Sequence, residues 1–338
     1  MVSKRAKFDD KKFVKWPDLP AFLQEIVISN LDFRTRISLS ECSKSMRLIE
    51  ADAPLNLNLI EITDNEFYCG FRENNVGNEA VRVKIRSTNN GETHSAIFMN
   101  MGDDAEIVFP KYPRRESIIL RHTNYYEAGV RLFEDLLKRS KYRVENCFIE
   151  MANWDIGNST VQQQLRGLKI MRIAFCSAQN LRDTLRIVPN NLDRLDLLDR
   201  NYGSLSTMLS PQILGLAQIG TAKTLNCHAF CELTDESLAS LKAHEATFSA
   251  LSITNEMLNN FIKRWIDGDV APTVKRVQIT ARNAFSVDAI LNGVEHLIEV
   301  DRQTSGDLNE LRLMSKSRSA SISINDSTFV FHHHHSIV

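Results

Sequence analysis

The stretch Leu168–Leu198, LKIMRIAFCSAQNLRDTLRIVPNNLDRLDLL, decides the fold. It opens with the apolar run LKIMRIAF over Leu168–Phe175 and closes with LDRLDLL over Leu192–Leu198, both read as strands. Between them Ala178–Val188 reads as a helix. The strand cores run apolar-x-x-apolar-x-apolar or close to it, as in Leu192, Leu195 and Leu197. One apolar set then faces the helices, and the polar positions between line the other side of the sheet.

Working outward, the same unit recurs. Strands are predicted over Arg143–Glu150, Ala222–Ala229, Phe248–Ile253, Val274–Ile279 and Leu297–Val300. Helices are predicted over Tyr126–Lys141, Ser159–Leu165, Gln212–Ile219, Asp235–Lys242, Glu256–Asp267 and Ser286–Leu291. The period of roughly 23–30 residues resembles that of leucine-rich repeats and related β/α solenoids. Such units must stack to bury their apolar faces. The expected product is a curved sheet with a long exposed face and no deep central pocket, a shape for gripping another protein. Arg172, Arg194, Asp196, Arg276 and Gln278 are the expected target-binding positions on that face.

Upstream the texture differs. Leu55, Leu57 and Leu59 alternate with Asn56 and Asn58 at strand period. Further strands are predicted at Val81–Arg86, Ala96–Met99, Glu106–Phe109 and Ser117–Leu120, joined by turns at Asn89–Glu92 and Met101–Asp104. Ala53-Pro54 marks a boundary before this β-rich segment.

At the front, Lys15–Glu50 reads KWPDLPAFLQEIVISNLDFRTRISLSECSKSMRLIE. Apolar residues recur at helical spacing in two sets, giving two or three short helices in roughly 35 residues, too few to bury their own surface. The Leu19-Pro20 opening, the Asn30-Leu31-Asp32 turn, the Cys42-Ser43-Lys44 run and the closing Leu48 resemble an F-box. That resemblance implies docking onto the Skp-type adaptor of a cullin ubiquitin ligase, an amphipathic unit laid into a partner's groove. Leu19, Pro20, Leu23, Ile26, Leu31, Ile37 and Leu39 are the implied adaptor contacts. Further on, Phe261, Trp265, Ile266 and Gly268 resemble the Phe-x-x-x-Trp-Ile-x-Gly signature of the F-box-associated domain of nematode families, though Thr273-Val274 stands where a Leu is commoner. Trp265 reads as core, and Gly268 as a left-handed helix cap.

Lys and Arg total 41 against 42 for Asp and Glu, so no net field draws nucleic acid or acidic lipid. No apolar run approaches the roughly 18 residues of a membrane span. The charged N-terminus MVSKRAKFDDKKF lacks the apolar segment of a secretion signal. Six scattered cysteines then read as reduced thiols in a cytoplasmic or nuclear protein. Cys227, His228 and Cys231 make half a zinc site with no second pair, so no metal and no cofactor are expected. Phosphate-cradling glycine loops, nucleophile elbows and His-Glu-x-x-His are missing, and the 13 glycines are isolated. No catalytic residue is expected. In the tail, Ser321–Ile324 and Phe329–Phe331 read as a closing hairpin through Asn325-Asp326, and His332–His335 as a solvated tract.

The expected architecture is α/β. A tail spans 1–14, a helical F-box 15–52, a β-rich connection 53–124, a β/α repeat 125–315 and a closing strand or tail 316–338. The expected function is that of a non-catalytic substrate receptor holding a protein target for ubiquitin transfer. The alternative is a repeat-based module that binds or sequesters a partner without a ligase.

Overall fold

The computed structural model describes residues 16, 19–64, 79–88, 91–110, 117–140, 144–152, 165–201, 207–300, 309–315 and 318–334. The 1–14 tail, Cys69, His335 and most of the helix expected over Ser159–Leu165 lie outside them.

Among the described residues three short helices come first, α1 (Ala21–Ser29), α2 (Phe33–Cys42) and α3 (Lys44–Asp52). Two motif residues set their limits. The Asp32 carboxylate accepts the Thr35 amide at 2.8 Å and caps α2, and the Ser43 hydroxyl accepts the Met46 amide at 3.1 Å and caps α3. The hydrogen bond from the Thr35 side chain, then that from its amide, holds the Asp32 carboxyl below its ordinary range.

Among the described residues after Pro54 the strands build one sheet of 15. Its centre is parallel and runs in the order β1 (Leu57–Thr63), β6 (Asn146–Glu150), β7 (Ile170–Phe175), β8 (Arg194–Asp199), β9 (Thr224–Cys231), β10 (Glu245–Ala250) and β11 (Arg276–Ala281). Antiparallel strands flank it on both sides. Beyond β1 lie β2 (Ala80–Ser87), β3 (Thr93–Met101), β4 (Asp104–Val108) and β5 (Ile118–Leu120). Beyond β11 come β15 (Thr328–His334), β14 (Arg318–Ile324), β13 (Asn309–Ser315) and β12 (Ile298–Val300). Because β1 pairs with both β2 and β6, the hairpin segment and the parallel repeat share one hydrogen-bonded ladder.

Helices cover one face of the sheet. α4 (Tyr125–Arg139) packs on β1–β4, and α5 (Ala178–Ile187) on β7. Further along come α6 (Pro211–Leu214), α7 (Ala217–Gly220), α8 (Asp235–Ala239), α9 (Asn255–Asp267) and α10 (Val287–Leu291). The core lies between: Met171, Ile173 and Phe175 of β7 and Leu181 and Leu185 of α5 are all fully buried. Gly129 lets α4 press onto β2, since a Cβ there would stand 2.6 Å from Val81 Cγ1. At the other end Phe261 and Trp265 of α9 meet the Phe331 ring edge-on at 5.3 and 5.4 Å. Gly268 closes α9 with φ of 91°, a left-handed cap.

The parallel strands β6 to β11 pair in chain order, their register-equivalent residues Asn146, Ile170, Arg194, Thr224, Glu245 and Arg276 are unequally spaced, and antiparallel strands flank both sides, so the whole is an open mixed sheet. Three expectations about the back of the chain change. The strand at Leu297–Val300 is not the next parallel strand after β11. As β12 it pairs with β13 at the far edge, and β15 takes the place beside β11. The expected hairpin through Asn325-Asp326 forms as β14 and β15 but is interior to the sheet, and His332–His334, expected as a solvated tract, are residues of a paired strand. Gln212–Ile219, expected as one helix, is broken at Gly215 into α6 and α7.

Candidate protein-binding surfaces

Helix α1 is apolar nearly all round, yet it buries polar residues beside Ile28 and leaves apolar ones outside. Its buried residues are Gln24, Ile28 and Ser29. Phe22 stays 60% exposed, Ile26 53% and Val27 44%, and Leu23 is also exposed. Residues four apart share a side of a helix, so Phe22, Leu23, Ile26 and Val27 form one apolar patch. Gln24 is held inside because its amide donates to the carbonyls of Trp16 at 3.0 Å and Leu19 at 2.8 Å. On α3, Leu48 is 62% exposed. Finishing the burial of each such side chain is worth on the order of 1 kcal/mol, a reserve that the chain leaves unused.

Of the expected adaptor contacts, Pro20, Leu23 and Ile26 are exposed, while Leu19, Leu31, Ile37 and Leu39 are half-buried. Ile37 points into a cavity behind the helices. Phe22, Val27 and Leu48 carry more exposed apolar surface than several of the expected positions and were not among them. The usable signal was Gln24, a polar residue whose burial turns the apolar flanks outward.

The helical unit is bolted to the sheet by a buried ionic clasp. Arg36 is 2% exposed and pairs with Glu50 at 3.0 Å, while its guanidinium also donates to the Pro54 and Ala53 carbonyls at 2.6 and 2.7 Å. Arg139, at the end of α4, reaches the same Glu50 carboxylate at 2.6 Å. Burial pulls the Arg36 pKa down from its ordinary value, the Glu50 charge works against this, and the Arg139 charge adds to it. Asn56, just before β1, donates to the carbonyl of Ser29 in α1 at 2.7 Å, a second tie between the helical unit and the sheet.

The second surface is the sheet face that carries no helices. Strand register puts Lys84, Glu61, Phe148, Arg172, Asp196, Asn226, Thr247 and Gln278 in one row across eight strands. Ile170, Arg194, Thr224, Glu245 and Arg276 form the next row. All five expected target-binding residues thus fall on two adjacent rows of one face. Arg172, Arg194 and Arg276 are exposed and Gln278 half-buried. Asp196 differs: it is 2% exposed and sits at the hub of its neighbours. Arg194 donates to it at 2.8 Å, Asn226 at 2.7 Å and Arg172 at 3.4 Å. Burial alone would raise its pKa, but the hydrogen bonds from Arg194 and Asn226 and the charges of Arg194 and Arg172 outweigh that and hold it low. Arg172 also lies over the Phe148 ring at 5.7 Å. Asp196 therefore fixes the arginines, and the arginines are what the face presents.

Two hollows lie outside the helix-free face of the parallel repeat. Between α2, α4 and β2–β5 lies an apolar cavity of about 620 Å³. At the carboxyl ends of β1 and β6 is a polar cleft of about 630 Å³ lined by Asp64, Glu79, Tyr125 and Arg200. Its groups are paired with one another: Arg200 meets Asp64 at 2.5 Å, and Tyr125 donates to Glu79 at 2.9 Å. Among the described residues no group of three or more His, Cys, Asp or Glu side chains is arranged to hold a metal ion. Cys227 and Cys231 are fully buried while His228 is exposed, so the three do not share a centre. The contact with Cys231, followed by burial, pushes the Cys227 thiol far above its ordinary pKa. No described helix is long and apolar enough to cross a membrane.

Comparison with known proteins adds one relative. The chain is 29% identical over 290 residues to an uncharacterized F-box protein, T20B12.4, of Caenorhabditis elegans, covering 84% of this chain and 74% of that one. No family model matches the chain. No solved structure matches it.

Proposed function

We propose that this chain is an F-box protein, the substrate-recognition subunit of a Skp–cullin–F-box ubiquitin ligase. The helical unit holds the Skp-type adaptor, and the arginine-studded sheet face holds a protein target. The carrying observation is the apolar patch of helix α1, where Phe22, Leu23, Ile26 and Val27 stay outside while Gln24 is buried. A monomer gains nothing from that arrangement, while a partner's apolar groove does. The F-box name of the relative, which aligns over most of both chains, supports the same reading. In it the sheet corresponds to the F-box-associated domain, and it acts by proximity, raising the effective concentration of a target lysine near the charged ubiquitin carrier.

The test is co-purification with a Skp-type adaptor. Phe22→Ser with Ile26→Ser is expected to weaken adaptor binding at least tenfold while leaving the sheet folded. Replacing Arg172 and Arg194 by Ala is expected to spare the adaptor and lose the target from the same pull-down, read by mass spectrometry. Undiminished adaptor binding by the α1 variant overturns the assignment of that surface.

A further inference from the structure

The helix-free face sorts its charges by depth. Glu61 is buried and holds Arg82 and Lys84, the latter at 3.1 Å. Asp196 is buried and holds Arg172 and Arg194. Each carboxylate thus carries two cations, one more than it neutralises. A guanidinium anchored on its inner side has less freedom to lose when its outer N–H groups take up an anion. Arg276 is a further exposed cation, steadied by the Gln278 side chain at 2.8 Å. Between β2 and β15, among the described residues of the two rows, Glu245 is the one exposed acid, beside Arg276 in register.

The positive run has borders. At the carboxyl ends of the strands Arg200 faces two acids, Asp64 and Glu150. At the amino ends Lys169 pairs with Glu145 and Lys223 with Asp193. Beyond Arg276 the row passes His332 and Ser321 to Arg312 and Glu299, one base beside one acid.

The spacing is regular. Glu61 lies on β1, Asp196 on β8 and Arg276 on β11, each three strands from the last. At about 4.8 Å per strand these points stand about 14 Å apart, a distance that an extended chain covers in about four residues. Residues four apart in such a chain point the same way. Between the first two points the face is apolar, with Phe148 half-buried and Ile170 exposed. The excess at each buried carboxylate is one charge, which suits a carboxylate better than the nearly double charge of a phosphate. We propose that this face takes an extended acidic segment of its target, with Asp or Glu at every fourth position and an apolar residue midway between the first two. The inference rests on the reading of this face as the target-binding surface and adds the chemistry of what it takes.

The experiment follows the anisotropy of rhodamine-labelled peptides with the purified full chain. The probe is Glu-Ser-Leu-Ser-Glu-Ser-Ser-Ser-Glu, and its controls carry Gln or phosphoserine in place of Glu. A short oligouridylate is the nucleic-acid control. The Glu peptide is expected to bind at least tenfold tighter than the Gln form and the oligonucleotide, and tighter than the phosphoserine form. Glu245→Lys is expected to tighten it at least threefold and Arg276→Glu to weaken it at least tenfold, both at exposed positions. Phe22→Ser with Ile26→Ser is expected to leave it unchanged. Equal binding of the Glu and Gln peptides, tighter binding of the phosphoserine peptide or the oligonucleotide, or no effect of either Glu245→Lys or Arg276→Glu overturns the acidic assignment. The pull-down with Arg172 and Arg194 replaced by Ala tells the two failures apart. Target lost there while the peptides fail to discriminate leaves the face in place and removes its chemistry; target retained there removes the face itself.

Discussion

Strand β7 and helix α1 place their apolar residues in opposite directions. In β7, Met171, Ile173 and Phe175 turn to the helices and Arg172 to solvent, the arrangement that a chain adopts to serve its own core. In α1, Gln24 and Ser29 turn inward along with Ile28, while Phe22 and Ile26 turn outward. Strand β7 alternates apolar and polar residues, whereas α1 is apolar nearly all round. What separates them is where each apolar side lies relative to the chain's own interior. That points to a core completed from within for the sheet and one to be completed by another chain for the helices.

Four substitutions probe the contrast. The largest effect is expected deep in the sheet. Trp265→Ala removes a fully buried ring packed on Phe331 and should cost about 4 kcal/mol in denaturant unfolding. A loss below about 1 kcal/mol would mean that α9 and β15 do not share a core. Next is the clasp. Glu50→Gln leaves Arg36 buried beside Arg139 with no counter-charge, for about 3 kcal/mol. Amide exchange should speed first in α2 and α3, and uniform exchange across the chain would contradict their docking as a separate unit.

The open face comes third. Asp196→Asn should cost about 1–2 kcal/mol at neutral pH. Because the native carboxyl is held low, the unfolded chain binds its proton first as acid is added, so this stability is present above the ordinary carboxyl pKa of about 4 and fades as pH falls through the lower native one. Unfolding curves of wild type and variant should therefore converge in acid, and a constant gap would place the contribution in packing instead. The smallest effect is on α1: Phe22→Ser should move stability by no more than about 0.5 kcal/mol. A loss of 2 kcal/mol or more would show Phe22 serving this chain's own core and erase the contrast.

Local pattern carried most of the elements. The alternation in Val81–Arg86 and in Val274–Ile279 returned as β2 and β11, and the Asp32 and Ser43 of the quoted motifs returned as helix caps. What pattern missed depends on partners far along the chain. Nothing within Phe329–Phe331 says that it lies against Val277 and Ile279, since the strand period is the same at a sheet edge as in its middle. Asp196 read as an exposed polar position because one strand shows only the alternation; its burial comes from Arg172 on one neighbour and Asn226 on the other. The clasp joins residues from α2, α3 and α4, and the cavity exists only once α2 and α4 have met the same sheet. Neither leaves a mark at short range.

The insertion of β15 between β11 and β14 has a bearing on damaged messages. A chain terminated at Asn325 would keep every helix and all of the parallel centre, yet it would lack the one ribbon that joins β11 to the β12–β14 meander. Two raw borders would open at once, with Val277 and Ile279 stripped of the Phe331 and Phe329 that face them. Such a product could still present α1 to an adaptor while sticking to its neighbours through those borders, so a late stop codon is expected to yield an aggregating competitor rather than a silent fragment.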